Sequence, residues 1–156
     1  MMVSTRGRYA LRVMVDLAEN DTGAHIPLRD IADRQEISRK YLENIMAVLS
    51  KAGFVDAVQG KGGGYKLSRA PDMYTVGSVL KLTEGSLAPV ACLGKAKVKC
   101  HRAPDCRTLP LWRELDRVID GYLEGVTVAD LAKSPQPKAL RDRPLNSKKA
   151  LSGISR

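Results

Sequence analysis

The run Gly60-Lys-Gly-Gly-Gly64 lies between two short β-prone stretches, residues 54–58 and 65–67, and follows three helix-forming segments. No other feature restricts the fold as much. Two β-prone runs joined by a glycine turn form a hairpin. A P-loop is excluded, because its glycines are more widely spaced and open a helix. Three consecutive glycines exceed what a hairpin turn needs, which predicts close approach of the backbone to a partner. Lys61 at the tip suits the negative potential of a narrow minor groove. The competing reading is a flexible hairpin with no contact of its own.

The upstream segments decide between them. Ser4 or Thr5 caps a first helix whose Ala10, Val13, Met14 and Leu17 follow the i, i+3, i+4, i+7 pattern. Pro27 suits the first turn of a second helix that turns Leu28, Ile31 and Ala32 inward. A brief turn at 35–37 leads to Ser38, the N-cap of a third helix that buries Leu42, Ile45, Met46 and Leu49 and stops at Gly53. Two short helices with a tight turn make a helix-turn-helix, and a hairpin directly behind it is the wing of a winged-helix domain. The third helix turns Ser38, Arg39, Lys40, Tyr41, Glu43 and Asn44 outward. Such a set holds phosphates and reads base edges, Arg or Lys on guanine, Asn on adenine and Glu on cytosine. An isolated charged face is more often merely solvated; the adjoining wing reverses that balance. Arg29, Gln59, Lys61, Gly62, Gly63 and Tyr65 complete the expected DNA-contacting set.

The expected fold class is mainly α with one small β-hairpin. Residues 1–84 form the winged helix-turn-helix domain, ending in a short helix over 76–84. Residues 85–106 lack periodicity and hold all three cysteines. In 107–133, Pro110 opens a longer helix with Leu111, Leu115, Val118, Ile119 and Tyr122 on one stripe, and Thr127-Val-Ala-Asp130 starts a short last helix as a capping box. A lone amphipathic stripe needs a cover, and the partner's equivalent helix in a two-fold homodimer is the simplest. Residues 134–156 read as a basic disordered tail.

Charge narrows the function less than it first suggests. The formal net charge is +9, but six Lys/Arg and one Asp lie in residues 134–156, so more than half the excess sits in the tail. DNA binding is therefore expected from the motifs, and the tail adds only non-specific affinity. Aromatic residues are 4% of the chain, so the core is expected to be aliphatic with the single Trp112. No apolar run approaches the ~20 residues of a membrane span, and the N-terminus lacks a signal-peptide pattern; a cytoplasmic protein is expected. Two histidines and no nucleophile–base motif argue against an enzyme. His25 is assigned no role.

Cys92, Cys100 and Cys106 fall within fifteen residues, among Lys95, Lys97, Lys99 and Arg102. A cytoplasmic setting argues against a disulfide framework. Thiolates bind iron–sulfur clusters, and basic neighbours favour the thiolate and offset a cluster's charge. The C-x2-C spacing of most all-cysteine zinc sites is absent. A thiol-oxidation switch needs no fourth ligand, and three unligated cysteines in a basic loop remain the plainest alternative.

Ser4-Thr-Arg-Gly-Arg-Tyr-Ala10, Pro27-Leu-Arg-Asp-Ile-Ala32, Ile37-Ser38, Tyr41-Leu-Glu43 and the glycine wing resemble the Rrf2 family of winged-helix regulators, over residues 3 to about 133. The resemblance implies a homodimer crossed through its long C-terminal helices, with recognition helix in the major groove and wing in the minor groove. It also implies a transcription regulator, often a repressor, of the IscR-like or NsrR-like branch, acting on a palindromic operator. In that branch three cysteines before the long helix hold an iron–sulfur cluster, of 2Fe–2S or 4Fe–4S type, that senses iron–sulfur status, redox state or nitric oxide. Leu111-Trp-Arg-Glu-Leu115 and Glu43 match the IscR-like pattern. Three positions depart from it. Seven and five residues separate the cysteines, where IscR-like members carry five in both gaps. Leu109 and Arg8 stand where the two branches place a fourth ligand, leaving His101 and Asp105 as nearby substitutes. Gln59 stands where IscR-like members often carry arginine. A metal-free regulator answering thiol oxidation, a small molecule or a partner protein is the alternative.

Overall fold

A computed structural model describes residues 3–94 and 100–133. Lys95, Lys97, Lys99 and the 134–156 tail lie outside the described residues. The element order is α1 (Thr5–Glu19), α2 (Leu28–Gln35), α3 (Arg39–Lys51), β1 (Val55–Val58), β2 (Gly64–Leu67), α4 (Val76–Glu84), α5 (Leu109–Glu124) and α6 (Val128–Lys133). Short 3₁₀ turns occupy Pro71–Met73, Ala91–Leu93 and Ala103–Asp105. The strands pair antiparallel with Val55 opposite Leu67 and Val58 opposite Gly64.

Helix α1 is the spine and touches α2, α3, α4, α6 and β2. Its start is fixed by Ser4, whose Oγ accepts from Gly7 N at 3.1 Å. Ser4 N and Oγ in turn both donate to Glu84 Oε1, at 3.2 and 2.6 Å. The last residue of α4 thus anchors the cap of α1. All four apolar residues assigned inward in α1, and all four in α3, are buried, together with Ile31, Ala32 and Val55. Leu28 is half-buried against this core, and Pro27 takes the N-cap position of α2.

The expected aromatic of the core is corrected. Trp112 is half-buried on α5 and belongs to neither apolar cluster, whereas Tyr74 is 1% exposed at the centre. Tyr74 serves because its ring fills the core while its hydroxyl finds backbone partners, donating to Phe54 O at 2.9 Å and accepting from Arg69 N at 2.8 Å. Helix α6 packs on α1, and Val128 joins the same core. Its capping box forms: Thr127 Oγ1 accepts from Asp130 N, and Asp130 Oδ2 accepts from Thr127 N, both at 3.0 Å.

Candidate nucleic-acid interface and cysteine segment

Ser38 is the N-cap of α3 and accepts from Tyr41 N at 3.4 Å. Helix α3 therefore starts where its first turn leaves the core. Arg39, Lys40, Glu43 and Asn44 are exposed, and their side chains make no hydrogen bond or ion pair with described residues. Tyr41 is half-buried and packs edge-on against Tyr9, with ring centroids 5.8 Å apart. Arg29 is exposed and pairs with Asp30 at 3.4 Å. The hairpin stands beside this face with Gln59, Lys61 and Gly62 exposed at its end. Tyr65 has a different surrounding: its ring packs on the core, and its N and O pair with Ile26, each bond 2.8 Å.

Two glycines of the run have a reason inside the chain. The strand begins at Gly64, and a Cβ there would lie 2.1 Å from Ile26 O. A Cβ on Gly63 would lie 2.2 Å from Val58 O. At Gly63 and Gly64 the close approach is the wing's own backbone against β1 and the segment before α2. Gly62 has open space around it.

Cys92 and Cys100 are exposed, Cys106 is half-buried, and all three thiols are free. The Thr108 hydroxyl, 3.4 Å from Cys106 Sγ, holds that thiol below the ordinary cysteine range, with backbone N–H groups of Thr108 and Leu109 adding to it. The donor set is chemically suited to an iron–sulfur cluster, since three free thiols share one segment. The described residues do not gather them: no group of three or more His, Cys, Asp or Glu side chains is arranged to hold a metal ion. His101 and Asp105 are exposed and complete no such group.

Helix α5, the longest among the described residues, packs on α4. Leu111, Leu115 and Val118 are 60%, 39% and 41% exposed, so this part of the stripe has no cover among the described residues. Ile119 is half-buried. Tyr122 packs against a second apolar cluster built from Val76, Leu80, Leu87 and Val126. The stripe thus divides, its first half exposed among the described residues and its last turn joined to the winged unit. Glu124 makes that joint by accepting from Thr75 Oγ1 at 2.6 Å and Lys81 Nζ at 2.8 Å. These donors, Lys81 first, hold its carboxyl below the usual glutamate range.

Two polar residues that organise the site escaped sequence reading. Asp16 is 2% exposed, and Glu84 bridges α4 to α1. Asp16 falls beside Leu17 in the apolar stripe of α1, and that misplacement was the one available signal.

A three-helix core with an exposed polar recognition helix and an adjoining wing defines a winged-helix DNA-binding protein. Residues 3–134 match the Rrf2 family, described as iron-dependent transcriptional regulators, and the chain belongs to this family. It is similar to the HTH-type transcriptional regulator IscR of Aliivibrio salmonicida, 37% identical over 143 residues that cover 92% of this chain and 84% of that protein. Among solved structures it resembles CymR, the global cysteine regulator of B. subtilis, with a TM-score of 0.70, 32% identity and coverage of 85% of this chain and 97% of that one. It also resembles IscR of T. potens, with a TM-score of 0.68, 34% identity and coverage of 87% and 89%. The chain is accordingly a transcription regulator of the IscR type and not an enzyme. No described helix is long and apolar enough to cross a membrane.

Proposed function

We propose that the chain binds a palindromic operator as a homodimer and represses or releases it according to an iron–sulfur cluster held in the 85–106 segment. The carrying observation is a polar face of α3 that is unpaired among the described residues and accompanied by an exposed wing, on a chain whose cysteines fall between that DNA-binding unit and α5. Arg39, Lys40, Glu43 and Asn44 reach base edges in the major groove, with Ser38, Tyr41 and Arg29 at the phosphates. Gln59, Lys61, Gly62 and Gly63 follow the minor groove, and Tyr65 seats the wing on the core. Leu111, Leu115, Val118 and the adjoining part of Ile119 and Tyr122 meet their counterparts in the second subunit.

Cys92, Cys100 and Cys106 would hold the cluster, of 2Fe–2S or 4Fe–4S type, with the fourth ligand drawn from His101, Asp105 or a small thiol. A bound cluster supplies a centre that responds to iron–sulfur supply, redox state or nitric oxide. The chain's own part is to pass the order of that segment on. Gly85 begins it directly after Glu84, which grips the α1 cap, and Leu109 closes it at the start of α5. A second reading, direct thiol oxidation, is favoured by three free thiols, of which Cys106 is held below the ordinary cysteine range by the Thr108 hydroxyl.

Anaerobic purification with an absorption spectrum and iron and sulfide counts tests the proposal. Colour with iron and sulfide in cluster proportion, and DNA affinity that differs between loaded and apo protein, is the expected result. A colourless protein after reconstitution transfers the role to thiol chemistry. Equal affinity in both states removes cluster control altogether.

A further inference from the structure

Asp16 is the sole buried charged residue among those described. Arg34 grips it with both arms, Nε to Oδ1 at 2.9 Å and Nη2 to Oδ2 at 2.7 Å. Gln35 Nε2 adds a third bond to Oδ1 at 2.9 Å. Gln35 has no freedom left, because its Oε1 accepts from Arg12 Nε at 3.0 Å and its backbone oxygen from Arg12 Nη2. Arg12 also stands over the Tyr9 ring at 5.2 Å, and Tyr9 packs edge-on against Tyr41 of α3.

The place of this network matters more than its strength. Arg34 and Gln35 are the last two residues of α2, and the turn to α3 is only Glu36, Ile37 and Ser38. Glu36 takes a left-handed backbone (φ 55°), an unfavourable state for a residue with a Cβ. A turn of this kind keeps one geometry only if both its ends are held. Ile37 is held by burial and by its N–H bond to Ala32 O at 3.1 Å. On the buried side the α2 end is held by Ile31 and Ala32 in the core and by Asp16, the one polar anchor, which takes both Arg34 and Gln35.

We propose that Asp16 is a positioning residue for DNA recognition: through Arg34 and Gln35 it sets the angle at which α3 leaves the turn. Asp16 is buried and Arg34 exposed, and replacing such an ion pair by apolar residues of similar volume is often neutral for stability, which separates this role from simple support. The proposal rests on the DNA-binding reading above, and the test distinguishes their failures. The wild-type protein first selects a sequence from a randomised duplex library. Its affinity for that duplex, and for a random duplex of equal length, is then compared with two variants.

Asp16→Leu/Arg34→Met replaces the pair with packing. Gln35→Met leaves the Asp16–Arg34 ion pair and removes the side-chain bonds of Gln35 to Asp16 and to Arg12 Nε, while its backbone oxygen still accepts from Arg12. In both, unfolding temperature and affinity for random duplex are expected to stay near wild type, while affinity for the selected duplex falls about tenfold, the worth of one good base contact. Wild-type selectivity in a folded variant overturns the proposal. So does an equal loss on both duplexes, which marks a lost phosphate contact or partial unfolding. If the double variant does not fold, Gln35→Met alone decides. If the wild-type protein selects no sequence, the DNA-binding reading fails instead.

Discussion

Substituting Gly64 by alanine tests whether the glycine run serves the protein or its DNA. The new Cβ would lie 2.1 Å from Ile26 O and 2.8 Å from Pro27 N. An unstrained carbon–oxygen contact is about 3.3 Å, so two backbones must part by about 1 Å. Neither neighbour is a flexible side-chain end. Such overpacking costs about 1–3 kcal/mol. The parting also breaks the paired bonds between Ile26 and Tyr65, each worth about 1 kcal/mol. A total near 3 kcal/mol lowers the unfolding midpoint by about 10 °C for a domain of this size. Gly62 is the control, with φ 79° and open space around it. Gly62→Ala loses about 1 kcal/mol for its left-handed backbone, a drop of about 3 °C. Circular dichroism on the DNA-free protein measures both. A Gly64→Ala protein that unfolds within about 2 °C of wild type while losing DNA affinity would refute the internal role and restore contact with DNA as the reason for the run.

Tyr74→Phe leaves Phe54 O and Arg69 N without their buried partner and is expected to cost about 2 kcal/mol in denaturant unfolding. Glu36→Gly relieves the left-handed backbone at the turn and should stabilise by about 0.5–1 kcal/mol, the strain relieved less the added freedom of the unfolded chain; a lower midpoint would contradict this. Glu124 has a lowered folded-state pKa, so its stabilisation is complete above the unfolded value of about 4.3 and fades as pH falls through the folded value. Glu124→Gln should therefore be less stable near neutrality, and its stability should fall less steeply in acid, as denaturant titrations at several pH values would register. Leu115→Glu places a charge on the exposed α5 stripe and is expected to convert a dimer to monomer in sedimentation; an unchanged dimer would move the interface elsewhere.

The helices were legible because burial there follows a simple period. Leu42, Ile45, Met46 and Leu49 fall on one face, and Ser38 and Thr127 cap where their hydroxyls predict. The hairpin was equally plain, yet the purpose of its glycines was not, since Ile26 lies far from Gly64 along the chain and only tertiary contact makes it their neighbour. Asp16 and Glu84 were missed for a related reason. A carboxylate in a stripe reads as a surface residue until its partners, Arg34 and Gln35 or Ser4, arrive from other elements. The cysteines were legible as chemistry and not as geometry, because three thiols in an aperiodic segment carry no rule for where they meet.

The Glu84–Ser4 bond has a consequence for how such a chain changes over time. It fixes one end of the cysteine-bearing segment to the α1 cap, where Leu87 also seats in the second apolar cluster, and the other end runs into α5 at Leu109. Between two fixed posts, lengthening the segment by two residues costs only about 0.1 kcal/mol of closure entropy. The stretch can therefore gain or lose residues, and its ligand spacing can drift, without disturbing either post. The winged unit and α5 are in this sense a socket, and the cysteine segment is the part that can be exchanged.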